Sequence, residues 1–140
     1  MNSLDRFERF FERAMEGSVG RIFRSPIQPA EIGRRLERAM ETHQVVSVEG
    51  IIVPNQYLVQ MNPNDMVVFA DFVPSLCRQM EGWLVDLAHS REYSFVDDVL
   101  VQISGDTTIS RRAIHVNASI SELPPAIRAR QAALARGAHR

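Results

Sequence analysis

Lysine is absent from this chain: all sixteen basic residues are arginine. Cysteine occurs once, at Cys77, which excludes an intrachain disulfide and makes a reduced, cytoplasmic compartment the expectation. No apolar run approaches the ~18 residues that mark a membrane span. The charges spread through MNSLDRFERFFER leave no apolar stretch for a signal peptide. Neither a Walker loop nor a dinucleotide-type glycine pattern is present. His43, His89, His115 and His139 stand far apart and share no metal-ligand spacing with Cys77 or a carboxylate. No nucleophile has a base paired with it by spacing. Catalytic residues, a metal and a cofactor are therefore not expected, and neither is enzymatic activity.

With 140 residues, 45% of them hydrophobic, the chain can bury one core without staples. The net charge of −1 conceals a polarity: residues 1–40 hold eight Arg against six acids, residues 41–110 two Arg against ten, and residues 111–140 six Arg against one. Compositional bias is the plainest reading of the missing lysine. Arginine nonetheless binds carboxylate and phosphate bidentately, so the two basic ends are candidate anion surfaces. The acidic middle argues against a nucleic-acid groove running through the whole domain.

Leu4, Phe7, Phe11 and Ala14 recur at helical spacing and predict an amphipathic helix over 3–16. A second helix is predicted to start at Pro29, which suits the first helical position, with Gln28 as a weak cap. Ile27 and Ile32 flank that cap as a hydrophobic staple. Ile32, Leu36 and Met40 continue the apolar face, whereas Arg34, Arg35, Glu37, Arg38 and Glu41 are expected to point mostly to solvent. VVSVEGIIV and QYLVQM predict strands near 45–53 and 56–61, joined at Pro54-Asn55 as an antiparallel hairpin. Asn62-Pro63-Asn64-Asp65 reads as a turn and helix cap before a short helix to Phe72. Pro74 suits the start of a longer helix, on which Leu76, Met80, Trp83, Leu84 and Leu87 share one face. Val99, Val101 and Ile103 are predicted to form a strand that turns at Gly105-Asp106 and returns through Ile114, Val116 and Ala118.

The expected architecture is α+β: two N-terminal helices, a β-hairpin, a helix and a second β-hairpin, giving a four-stranded, mainly antiparallel sheet with helices on one face. Residues 1–120 make that domain, and the Ala/Arg-rich segment 121–140 reads as a linker or flexible tail.

Cys77 lies on the apolar side of its helix, where a thiol is an inert packing residue. Asp97-Asp98, as strand neighbours, would point to opposite faces rather than converge on a metal. Gly17-Ser18-Val19-Gly20, followed by Arg21 and Arg24, matches the GxxG loop with which KH domains approach single-stranded nucleic acid. Gly17, Gly20, Arg21 and Arg24 are thus candidate anion contacts in an alternative, KH-like reading. A glycine helix stop explains Gly17 without a ligand, and the strand expected before the first helix is missing.

GRIFRSPIQPAEIGRRL, followed about twenty residues later by VPNQYLVQM, resembles the N-terminal domain of FhaA-type bacterial proteins, in which a helical RIF…P.E corner precedes a PN.Y hairpin. GWLVDLAHSREYSFVDDVLVQI is similar to the same family's helix, aromatic and strand segment. The likeness covers about residues 4–118. It implies an α+β domain, joined by a linker to a forkhead-associated (FHA) module that reads phosphothreonine. It also implies work by protein–protein interaction beside Ser/Thr kinases in cell-wall or division signalling, with recruitment to the inner membrane face through partners. No FHA β-sandwich follows before Arg140, so the chain is expected to be either a fragment cut at the linker or a stand-alone member. The kinase association makes Thr107 and Thr108 candidate phosphoacceptors, whose phosphate could pair with Arg111 and Arg112. Ordinary turn threonines are the plainer reading.

Overall fold

The computed structural model of the chain describes residues 27–122 together with Arg9. The helix predicted over 3–16, the Gly17–Gly20 tetrad, Arg21, Arg24 and the tail beyond residue 122 lie outside that range; Arg9 alone is described there, as helical.

Helix α1 spans Pro29–Thr42 and starts as the sequence predicts. Pro29 occupies the first turn, Gln28 is an extended cap whose side chain makes no capping bond, and Glu31 lies near the positive end of the helix dipole. Ile27 and Ile32 are both fully buried, so the staple sets the angle at which the chain enters the helix. Strands β1 (Val45–Ser47) and β2 (Gly50–Ile52) follow, then β3 (Gln56–Met61). A single-turn helix α2 (Pro63–Met66) runs into a 3-10 turn over Val67–Phe72. The Asn62 side chain caps α2 by accepting from the Asn64 N–H. The long helix α3 covers Val73–Ser90; then come β4 (Tyr93–Ser94), β5 (Leu100–Gly105) and β6 (Ile114–Ser119).

The α+β class stands, but the strand arrangement differs from the expected four-stranded antiparallel sheet. There are two three-stranded mixed sheets among the described residues, ordered β1-β2-β4 and β5-β3-β6. Residues 45–53 do not form one strand pairing with 56–61. They fold back on themselves around Val48-Glu49, with Val46 opposite Ile51. The Ser47 hydroxyl accepts from the Glu49 N–H and donates to the Gly50 carbonyl. Gly50, at φ 131°, takes a backbone conformation that a side chain would resist. Pro54-Asn55 is therefore the crossing from one sheet to the other. The second predicted hairpin also fails: β5 and β6 flank β3 on opposite sides, β5 parallel and β6 antiparallel. Residues 106–113 must span β3, roughly 10 Å from one outer strand to the other, which no tight turn achieves.

Both long helices pack on one side of the β5-β3-β6 sheet, α1 against β6 and α3 against β5. The core between them is made by Leu36 and Met40 of α1, Leu76, Met80 and Leu84 of α3, and Tyr57, Val59 and Met61 from alternate positions of β3. An ion-pair cluster closes the top of this layer. Arg91, at the end of α3, donates to Glu41 and, at 3.0 Å, to Glu37, and the Tyr93 hydroxyl donates to Glu41 at 2.8 Å. Glu37 and Glu41 are thus bound across the helix pair rather than left in solvent.

Helix α3 also covers the outer edge of β5. Glu81 Oε2 accepts the Val101 N–H at 2.9 Å, and Cys77, one turn earlier, takes the Ile103 N–H. Burial pushes the Glu81 carboxyl up to about 7, although the Val101 N–H and Arg78 pull it back. In the unfolded chain this carboxyl titrates near its ordinary 4.5. The folded state therefore holds the proton more tightly, and stability should fall as pH rises from about 4.5 to about 7, then level off. Glu81→Gln keeps an oxygen for the Val101 N–H and should abolish this slope, leaving the variant more stable than the parent at pH 8. Urea unfolding at pH 5 and pH 8 measures it; an identical pH dependence in both proteins would contradict the assignment.

Candidate functional site

A sheet edge is a row of unpaired backbone donors and acceptors, and folds ordinarily shorten, charge or cover it. The two sheets have four edges here. That of β4 is two residues long, and that of β5 is covered by Glu81 and Cys77. The other two are open among the described residues.

The first open edge is β1, paired only with β2. Val45 and Val46 stand 51% and 77% exposed on it and Val48, in the turn that follows, 106%, while Ile51 of β2 is half-buried against the core. No lysine, arginine or proline guards the strand, and Glu49 at the turn is the nearest charge. Three β-branched apolar side chains on a short, uncovered ribbon cost solubility without adding to the core, which makes the ribbon a candidate binding surface.

The second is β6, where a groove of about 220 Å³ separates the strand from α1. Ile114 and Val116 line its floor; Arg35, Arg38, Thr42 and His43 line its wall. Sequence reasoning placed these arginines in solvent, and they are exposed. It did not see that Glu37 and Glu41 turn the other way, onto Arg91, which leaves the β6 side of α1 basic.

The face of the β5-β3-β6 sheet turned away from the helices carries Gln56, Leu58, Gln60, Gln102 and Asn117, with a Gln60–Asn117 side-chain bond of 3.0 Å across the strands. His115, opposite Gln60, is the one titratable side chain these strands put on that face, and no arginine stands there to neutralise a phosphate chain.

The residues singled out from the sequence have definite places. Thr107 and Thr108 are both exposed in the 106–113 connection. The Thr108 hydroxyl donates to Asp106 Oδ1 at 2.6 Å, as does its N–H at 2.9 Å, which closes a turn. Arg111 Nε is held by Asp65, so it is already engaged where the sequence expected a free phosphate partner. Asp97 and Asp98 lie in the connection before β5, where Asp97 Oδ1 accepts the Asp98 N–H. Cys77 is buried, and burial pushes its thiol up to about 12, far from a nucleophile's range. His89 and His115 are exposed and well apart in the fold, while His43 joins the groove. Among the described residues no group of three His, Cys, Asp or Glu side chains could hold a metal ion.

The asparagine of PN.Y is a structural clamp that sequence reasoning missed. Asn55 is fully buried; its Nδ2 donates to the carbonyls of Asp98 and Ser121, and its Oδ1 accepts the Ser121 N–H. Its backbone bonds to Leu100 and Ser119 at the ends of both neighbouring strands. One side chain thus ties together the starts of β3 and β5 and the end of β6. The apolar context and the turn-prone Pro54-Asn55 pair were the available signal.

The family model described as "FhaA, N-terminal domain" matches residues 4–117. The solved structure described as "Rv0020c_Nter structure" is similar in fold, with a TM-score of 0.67 at 16% identity, over 81% of this chain and 85% of that one. No curated protein matches the chain. No helix among the described residues is long and apolar enough to cross a membrane.

Proposed function

This chain belongs to the FhaA N-terminal domain family, and from that premise we propose that it is a non-enzymatic docking domain of FHA-type signalling. It holds a protein partner through the β1–β2 ribbon and so positions an FHA module within a bacterial Ser/Thr-kinase pathway of cell-wall growth or division. The work is cytoplasmic, with recruitment to the inner membrane face through the partner. The observation that carries this reading is the uncovered apolar edge of β1, with Val46 and Val48 almost wholly in solvent. A partner strand laid along β1 would complete its backbone bonding, while its side chains cover the valines.

The partly and fully buried carboxylates support the same reading, because the fold already uses them: Glu37 and Glu41 hold Arg91 across the helices, Asp65 holds Arg111 and fixes a connection, and Glu81 covers an edge. Val46→Glu together with Val48→Glu should weaken binding to the intracellular part of a partner kinase by about tenfold or more, because burying two unpaired carboxylates opposes association. Circular dichroism and Tm should not change, since neither valine is in the core. Biolayer interferometry reads the affinity; equal binding by parent and variant would remove the ribbon from the account. Within this reading Thr107, whose hydroxyl is not tied into the turn as that of Thr108 is, is the better phosphoacceptor. Mass spectrometry of the GDTTISRR peptide after the same kinase incubation tests it, and an unmodified peptide removes it.

A further inference from the structure

We propose that the groove between α1 and β6 is a second, independent docking site, which takes an extended acidic peptide segment of a partner protein as an added strand. Three features converge on that occupant. First, β6 pairs only with β3 among the described residues, so its outer edge offers backbone donors and acceptors to a further strand. Second, the floor is apolar: Ile114 and Val116 face the helix side of the sheet, continuing the layer that Val59 and Met61 begin on β3. A strand added about 4.8 Å away would bring every second side chain under α1.

Third, the wall is basic and unneutralised. Arg35 and Arg38 lie one turn apart on the same helix face, with His43 at its end, and none of them has an ion pair among the described residues. The acids of the same helix, Glu37 and Glu41, are committed to Arg91 on its far side. Carboxylates at alternate positions of the added strand lie ~7 Å apart, a span that two flexible arginines can bridge. Arginine's fork then gives each carboxylate a two-point bond.

The same cations could attract single-stranded RNA, the other polyanion, but the groove suits it less well. The lining contains no Phe, Tyr or Trp, and His43 and the two arginines are the only flat side chains in it on which a base could stack. Residues 41–110 hold ten acids against two arginines and disfavour a phosphate chain that runs on across the domain. An edge strand, by contrast, is complementary to peptide backbone and to little else.

The test uses the whole 140-residue chain, labelled with 15N, and three probes: an octapeptide alternating Glu and Val, its Lys/Val counterpart, and a ten-nucleotide oligo-U. The Glu/Val peptide should shift amide signals of Ile114–Ser119 and of Arg35–His43, and leave those of Val45–Ile52 unmoved. Arg35→Glu with Arg38→Glu should weaken it about tenfold or more. Arg34→Glu, a charge reversal on an exposed residue outside the groove, should have little effect, as should Val46→Glu with Val48→Glu, which adds two carboxylates elsewhere. Three results would overturn the proposal: no shift at β6, equal binding by the Lys/Val peptide, or tighter binding of oligo-U at the same residues. The groove and the ribbon thus fail separately, because each has its own variant and its own set of signals.

Discussion

Replacing Asn55 with alanine is expected to destabilise the domain by about 3 kcal/mol or more, the largest single effect of any polar substitution. The side chain makes three bonds in a fully buried place, two donated by Nδ2 and one accepted by Oδ1. Each net bond is worth about 1 kcal/mol, and a buried group left without its partner costs about 1–3 kcal/mol. Alanine leaves the Asp98 and Ser121 carbonyls and the Ser121 N–H in that condition. For a domain of this size the loss corresponds to a fall in Tm of about 15 °C. Asn55→Asp should be at least as damaging, since it places a carboxylate oxygen where Nδ2 met two carbonyls. Thermal unfolding followed by circular dichroism measures both; a shift of only a degree or two in Asn55→Ala would refute the clamp.

The second large effect is expected at Asp65, the other fully buried polar residue of the core. Its carboxylate accepts from Arg111 Nε and from the Arg112 N–H, both at 2.7 Å. Arg112 sits at φ 68°, a left-handed conformation that an unbranched residue adopts at a cost of about 1 kcal/mol, so the bond to its N–H holds a strained point of the chain. Beside it, Asn62 Nδ2 donates to the Ile109 carbonyl, and together the two residues pin the 106–113 connection onto α2. Two bonds to a charged acceptor are worth about 3 kcal/mol together, and Asp65→Ala should lose most of it. Burial alone would raise this carboxyl, but the Arg112 N–H, the Arg111 side chain and the two positive charges outweigh it and hold it below 3.8. The unfolded chain thus takes up the proton first. Stability from Asp65 is complete above about pH 4 and is lost as pH falls through the lower folded value. Asp65→Ala should therefore flatten the acid limb of the stability curve, and a variant that keeps that limb would contradict the assignment.

How far the sequence could be read depended on how local each signal was. Both long helices were legible, because their stripes and their prolines at 29 and 74 lie within one segment. So was the alternation that buries Tyr57, Val59 and Met61. Strand pairing was not legible, for a physical reason: which strand neighbours β3 depends on partners more than forty residues away. The SVEG turn inside 45–53 reads as continuous strand in the sequence because Val48 is β-branched. It stands out in solvent instead, at the turn between β1 and β2. The groove shows the same limit. Helical spacing puts Arg35 and Arg38 on one face, but only the capture of Glu37 and Glu41 by Arg91, about fifty residues on, leaves that face basic. Asn55 gave a turn signal, and its three buried bonds reach residues 98 and 121. The candidate sites are therefore edges whose exposure is a property of the whole fold.

The central claim is that the β1–β2 ribbon is where the domain meets its partner. Hydrogen–deuterium exchange of the full chain, with and without the intracellular part of a Ser/Thr kinase from the same pathway, tests it most directly. Slower exchange is expected across Val45–Ile52 on binding, with Leu100–Gly105, whose edge Glu81 and Cys77 already cover, unchanged. Protection that leaves Val45–Ile52 untouched would contradict it.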